Sequence, residues 1–272
     1  MTDQAGRARA ALDTTVPNQA RIANYFLGGK DNFAADREAA EQILAVAPEI
    51  RTMARESQDF HLRAVRYLVE QGITQFVNIG AGIPAEHNTH QIAQSLTPDA
   101  QVVYVSDDPV VLSHSRALLA TDARTGVVEG DILHPAELIA DPGLRQLIDT
   151  DRPMAILTLS ALQFAPDEDD PFKRVGQLRD LLPVGSYLVI VHAVFDSRPD
   201  AAKPIVDVYK RVFGRSEDAS RKREQVAAFF DGMELVEPGL VYIRLWRPDN
   251  PLNVRHPEKA WLVGGVARKP AP

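Results

Sequence analysis

Residues 73–90, ITQFVNIGAGIPAEHNTH, and the stretch QVVYVSDDPVVLSHSRALL that starts at residue 101 constrain this chain most tightly. Phe76, Val77 and Ile79 read as a buried strand running into a tight turn at Gly80 and Gly82, with a helix starting near Glu86. Residues 102–105 form a second apolar strand, which ends at Asp107 and Asp108 before a helix led by Pro109. Strand, glycine turn, helix, strand and acid is the order in which an α/β sheet grips a nucleotide-like ligand. The glycines let backbone come close, the helix N-terminus offers N–H groups, and an acid accepts from ribose hydroxyls. The plainer reading of the same pattern is a packed turn in a buried sheet.

From residue 73 onward the pattern alternates. Strands are predicted near 74–79, 101–106, 126–130, 154–160 and 186–194, and helices near 87–96, 109–120, 134–149, 171–182 and 200–213. Such alternation implies an α/β fold, a mostly parallel sheet covered on both faces. A short helix at 221–231 precedes two apolar strands, 239–246 and 260–267, read as an antiparallel hairpin at the sheet's edge. Ahead of the sheet, residues 1–16 read as a polar, frayed N-terminus and 17–72 as three helices. Their apolar faces (Ile22, Tyr25, Phe26; Phe60, Val65, Leu68) are too few to bury on one another, so 17–72 is expected to cap the α/β body at 73–272.

Composition narrows the function. A net charge of −7 disfavours a nucleic-acid or anionic-membrane surface. No apolar run is long enough to span a bilayer, and MTDQAGRARAALDTT lacks the apolar core of a signal peptide, so the cytoplasm is the expected compartment. Cysteine is absent, which removes disulfides, thiolate catalysis and cysteine-based zinc sites. The composition leaves the oligomeric state open.

Blocks spread along the chain carry a family resemblance: GGKDNFAADREAAE, ARES, FVNIGAGIP, VVYVSDDPVVLSHSRALL, EGDI, FAPDEDDP, GSYLVIVHA and FFDGMELVEPGLV. From about residue 17 to 269 the chain resembles a bacterial family of S-adenosylmethionine-dependent methyltransferases, common in actinomycetes and long catalogued as a domain of unknown function. The resemblance implies a Rossmann-like class I methyltransferase fold: a seven-stranded sheet with an antiparallel last strand and an N-terminal helical cap. It implies S-adenosylmethionine as cofactor, S-adenosylhomocysteine as product, and a small-molecule acceptor, in keeping with specialised metabolism. Gly80, Ala81 and Gly82 would hold the methionine part, the acid after the second strand the ribose, and Asp131 with Ile132 the adenine. Ser160 and Gln163, after the fourth strand, would complete the cofactor side, with Lys30 and Arg55 reaching it from the cap.

Three positions depart from the family. Relatives usually carry Asp where this chain has Asn78, Asp-Asn-Asp-Pro where it reads Ser106-Asp107-Asp108-Pro109, and His at Gln163. A charge-assisted hydrogen bond is worth about 1.5–3 kcal/mol against about 1 for a neutral one, so two lost carboxylates weaken a cofactor site unless Asp107 substitutes. These departures also motivate a second reading: a non-methylating protein on the same scaffold, either a binding or regulatory module or a cyclisation or rearrangement enzyme.

Several features have plainer explanations beside the functional one. Gly80, Gly82 and Ala85 match the loose dinucleotide pattern GxGxxA, but a nicotinamide enzyme would build a second such half. Asp167 to Asp170 resemble a metal cluster, yet Asp170-Pro171 reads better as a helix N-cap with Pro at the first position. His87 and His90 lie three apart on one expected helix face, without a third metal ligand. Lys30, Asp31 and Asn32 form either a surface turn or a flap over the cofactor. Arg55-Glu56 is either an exposed pair or a partner for the cofactor carboxylate. His192, near the end of a buried strand, is either a satisfied core histidine or a general base; Tyr25 and Asp31 are the other candidate bases.

Overall fold

The structure, a computed structural model, describes residues 13–84, 87–118, 123–213 and 221–272. The predicted frayed end at 1–12, the helix start at Glu86, Ala85 of the dinucleotide pattern and the helix tail at 119–120 lie outside the described residues.

Three helices come first: α1 (Gln19–Phe26), α2 (Ala34–Val46) and α3 (Ile50–Glu70). Strand β1 (Gln75–Ile79) opens the sheet, followed by α4 (Thr89–Leu96), β2 (Gln101–Ser106), α5 (Pro109–Leu118) and β3 (Thr125–Glu129). Then come α6 (Pro135–Ala140), α7 (Pro142–Arg145), β4 (Ala155–Leu159), α8 (Pro171–Leu181), β5 (Tyr187–Ala193), α9 (Pro199–Phe213) and α10 (Arg223–Ala228). Strands β6 (Glu234–Leu235), β7 (Val241–Tyr242) and β8 (Leu262–Arg268) finish the chain. Among the described residues these strands form one eight-stranded sheet in the order β3-β2-β1-β4-β5-β8-β6, with β7 also on β8. The first five pair in parallel, whereas β8 runs antiparallel to β5 with Val189 opposite Val266.

Every residue of β1 is buried, as a central parallel strand requires. Its side chains alternate between the two faces. Phe76 joins a cluster with Phe60, Val65 and Leu68 of α3 and with Trp246, while Val77 and Ile79 join Leu138, Val175, Leu178 and Val226 on the other. Helix α3 is therefore one layer of the sheet's own core. Ile22, Phe26, Ala39, Ala40 and Ile43 of α1 and α2 form a third cluster, which includes Val208 of α9.

The expected helix at 134–149 is two short ones. Asp141 accepts from the N–H groups of Gly143 and Leu144 and so starts a new helix at Pro142, whose ring cannot continue the old one. The expected hairpin is also rearranged. Strand β8 lies between β5 and the short edge strands, and 239–246 supplies only Val241–Tyr242 before a 3-10 turn, Ile243–Leu245. The expected single edge strand is instead two two-residue pieces, β6 and β7, both on β8. The short helix expected over 221–231 ends at Ala228, and the helix expected near 87–96 runs from Thr89 to Leu96 with Asn88 in its N-cap position. His87 sits before that helix with φ +63°, so His87 and His90 do not share a helix face. Asp170 does occupy the cap position before Pro171, but makes no side-chain capping bond; Asp167 accepts from buried Arg221 at 2.7 Å instead.

Candidate functional site

A cavity of about 950 Å³ opens over the C-terminal ends of the parallel strands, beneath α1, α3 and α9. Its floor is the turn after β1. Gly80 has φ +71°, and the Gly80 N–H donates to the Val105 carbonyl at 2.9 Å, which pins the turn to β2. A Cβ on Gly80 would fall 2.4 Å from the Ala161 Cβ, so this position needs glycine for conformation and for space. Gly82 is different: a Cβ there would meet nothing within 4 Å, because the position faces the cavity. Such a turn leaves bare backbone for a ligand to approach. Ser160 takes φ +67° at the end of β4 and lines the cavity, as does Gln163, whose Oε1 accepts from the Ala193 N–H at 3.3 Å. A serine held in the left-handed region at a strand end is strain of the kind that collects at functional sites.

Three carboxylates line the next wall, and their hydrogen bonds separate their roles. Asp108 is used up: Oδ1 takes the N–H groups of Val110 and Val111, capping α5, and Oδ2 accepts from the Asn18 side chain. Asp131 turns back on its own loop, accepting from Leu133 and His134 N–H groups at 2.6 and 3.0 Å. Asp107 lines the cavity without such a cap. Desolvation by the surrounding protein, then the negative charges of Asp131, Asp108 and Glu129, hold its carboxyl above the ordinary range. Buried Ser106 fastens the turn by accepting from the Asp108 N–H at 3.1 Å. The carboxylate free to meet hydroxyl donors is therefore Asp107.

The remaining wall is polar at one point and apolar elsewhere. Asn78 Nδ2 donates to Thr89 Oγ1 at 3.0 Å, and Thr89 Oγ1 lies 2.9 Å from His61 Nε2. Burial pushes the His61 pKa down to about 4. Around them stand Ile22, Phe26, Met53, Phe164, Tyr209 and Trp261. Ile132 and Asp131 line the cavity side by side, and Ala81 lines it at the glycine turn.

The structure thus gathers Asn78, Gly80, Ala81, Gly82, Ser106, Asp107, Asp108, Asp131, Ile132, Ser160 and Gln163 around one space. It does not bring Tyr25, Lys30, Asp31, Arg55 or His192 to that space. Tyr25 points to the outer surface of the cap, its hydroxyl on Glu41 at 2.5 Å and the Arg51 guanidinium 5.0 Å over its ring. Lys30 and Asp31 are exposed in a loop fastened by buried Asn32, which donates to Asn24 and to the Gly29 carbonyl. Arg55 is exposed on α3, and its neighbour Glu56 pairs with Arg244. His192 is fully buried in β5; Nδ1 lies 2.6 Å from the Ala193 carbonyl and Nε2 faces the Arg221 guanidinium at 3.2 Å. A guanidinium only donates, so Nε2 accepts, the ring is neutral, and burial lowers its pKa to about 4. Its lone pair is occupied, which removes it as a base.

Sequence reasoning missed Asn18, His61, Thr89 and Tyr209, all on the cavity wall. One signal was available: Ser57 and His61 follow Met53 at i, i+4 spacing, polar side chains on an otherwise apolar helix face.

The comparisons agree with this geometry. The S-adenosyl methyltransferase family model matches residues 5–270. A DUF574 family protein from Streptomyces avermitilis is 38% identical, with a TM-score of 0.89 over 95% of this chain and 99% of that one. A candidate methyltransferase from Thermobifida fusca is 39% identical, with a TM-score of 0.89 over 96% of this chain and 97% of that one. The plantazolicin methyltransferase BpumL, solved with a desmethyl plantazolicin analogue and S-adenosylhomocysteine, shares the fold at 10% identity and TM-score 0.54, with all of both chains covered. No curated protein matches the chain.

Proposed function

This chain belongs to the S-adenosyl methyltransferase family and is an S-adenosylmethionine-dependent methyltransferase, and from that premise we propose that it methylates a small molecule held beside the cofactor under the cap helices. The observation that carries this reading is the size of the cavity at the strand ends. At about 950 Å³ it lies near the top of the ordinary range for small-ligand sites, about 300–1,000 Å³, which suits a cofactor together with an acceptor.

The residues fit the cofactor. The open space at Gly82 would admit its amino-acid end against the turn of Gly80 and Ala81, and Asp107 would accept from ribose hydroxyls. Ile132 and Asp131 would flank the adenine, while Asn78, Ser106, Ser160 and Gln163 line the same cavity. When bound, S-adenosylmethionine supplies an electrophilic methyl group on a sulfonium. The chain's own part is to hold the acceptor in line, about 3 Å away, and to keep water out. Ile22, Phe26, Met53 and Trp261 supply the dry wall. His61 is neutral with a pKa near 4, and burial raises the Tyr209 hydroxyl to about 12, so neither takes a proton readily at neutral pH. The reading therefore favours an acceptor whose lone pair is already free.

Among the described residues no helix is long and apolar enough to cross a membrane. The net charge of −7 supports the reading that nucleic acid is not a partner. Calorimetric titration with S-adenosylmethionine and S-adenosylhomocysteine tests the site. Binding that Gly82→Ala abolishes without unfolding the protein is the expected result, and no detectable heat on folded wild-type protein would overturn it.

A further inference from the structure

Among the described residues no lysine or arginine side chain lines the cavity, whereas Asp107, Asp108 and Asp131 do. A zwitterionic amino-acid group docked at the glycine turn finds acceptors for its ammonium easily. Its carboxylate needs a donor, and among the described residues no lysine or arginine provides one.

The hydrogen bonds around Thr89 place such a donor. A threonine hydroxyl carries one proton. Asn78 Nδ2 donates to Thr89 Oγ1 at 3.0 Å, and the Tyr104 hydroxyl, which accepts from the His90 N–H and also bonds the Thr89 side chain, can place its own proton there too, which leaves the Thr89 proton for His61 Nε2, 2.9 Å away. Nε2 is then an acceptor, and the single proton of the neutral ring sits on Nδ1. Among the described residues His61 Nδ1 has no hydrogen-bond partner. Unlike the indole nitrogens of Trp246 and Trp261, it is not sealed in the core, and His61 lines the cavity while only 8% exposed. Asn78 Oδ1 is similarly open, two residues before Gly80.

We propose that neutral His61 donates its Nδ1–H to the carboxylate of the cofactor's amino-acid end, while Asn78 Oδ1 accepts from the ammonium. Asn78, through Thr89, fixes the tautomer that makes this possible. His61 is thus a positioning residue that reads the amino-acid end and ignores the nucleoside. The inference rests on the cofactor reading above. It assigns His61 to recognition, where an imidazole in a methyl-transfer cavity is more readily taken for a base.

The probes are S-adenosylhomocysteine and methylthioadenosine, which share the nucleoside and thioether but differ in the amino-acid group. Calorimetric affinities are measured for wild type, His61→Phe and His61→Asn, the last keeping an amide N–H near the Nδ1 position. The expected loss for His61→Phe is about ten- to a hundred-fold with S-adenosylhomocysteine, the range of one hydrogen bond to a charged group, with methylthioadenosine essentially unchanged. His61→Asn recovers most of the affinity. Equal losses for both probes would reduce His61 to a packing role and overturn the proposal, as would no loss for either. Wild-type protein that binds neither probe removes the cofactor reading itself. Nitrogen NMR of labelled imidazoles on wild-type protein avoids any folding defect. The His61 Nδ1 signal is expected to be protonated and to move with S-adenosylhomocysteine only; a deprotonated Nδ1, or one equally moved by both probes, overturns the assignment.

Discussion

Replacing Asp36 with alanine tests how the helices above the cavity are held there. The Asp36 carboxylate is fully buried and accepts three hydrogen bonds: from Arg21 Nε at 2.7 Å, from the Asn18 N–H at 2.8 Å and from the Phe33 N–H at 2.8 Å. Its partner Arg21 has a side chain only 3% exposed. Removing one member of a buried pair strands the other charge and typically costs about 3–5 kcal/mol, to which two orphaned N–H groups add. Arg21 keeps the Val16 carbonyl and lies 5.3 Å over the Phe33 ring, so relaxation holds the loss near the lower end, about 3 kcal/mol. The damage reaches the site, because Asn18 caps α1 and donates to Asp108, while Ile22 and Phe26 wall the cavity. Urea unfolding followed by circular dichroism gives the stability change, and titration with S-adenosylhomocysteine gives the coupled loss of affinity. Arg21→Met with Asp36→Leu, which removes both charges and keeps the volume, is expected to recover most of the stability. A single-variant loss below about 1 kcal/mol would refute the reasoning, since that is the value of an exposed pair.

Acid stability follows from His61 and His192, both buried and both depressed to about 4. The unfolded chain binds more protons between the ordinary histidine value of about 6.5 and about 4, so stability falls as pH drops through that window, by up to about 3 kcal/mol for each ring. A melting temperature that stays flat across it would contradict the neutral assignments. Gly80→Ala should destabilise the fold because its Cβ meets Ala161 at 2.4 Å, whereas Gly82→Ala should melt like wild type and lose ligand; equal melting of both variants would sink the distinction. The loop of Lys30, Asp31 and Asn32 is proposed as a flap, so cleavage within 28–36 is expected to slow when cofactor is added. Equal rates at saturation would return it to an ordinary surface turn, the role its anchoring by Asn32 already fills.

The sequence alone determined what local chemistry specifies. Runs of apolar residues mark β1 and β2 as buried strands whichever neighbours they take, and Gly80 and Gly82 directly after β1 mark a turn. The acids after β2 and β3 were legible for the same reason, as they follow directly on strand ends where an α/β sheet opens its crevice. Only the tertiary structure decided what those groups do. Asp107 and Asp108 are adjacent and chemically identical, yet Asp108 is consumed by α5 and by Asn18, ninety residues away along the chain, which leaves Asp107 for a ligand. His192 read from the sequence as either a satisfied core histidine or a base, and Arg221 with the Ala193 carbonyl, filling both its nitrogens, decides for the first. His61 went unread in the sequence, and only the folded chain brings Thr89 and Asn78 to it across the cavity wall. Periodicity reports which face of an element is buried, because burial follows from neighbours one or two turns away. Whether a buried polar group is satisfied or still free to bind depends on partners that only the folded chain brings within hydrogen-bond reach.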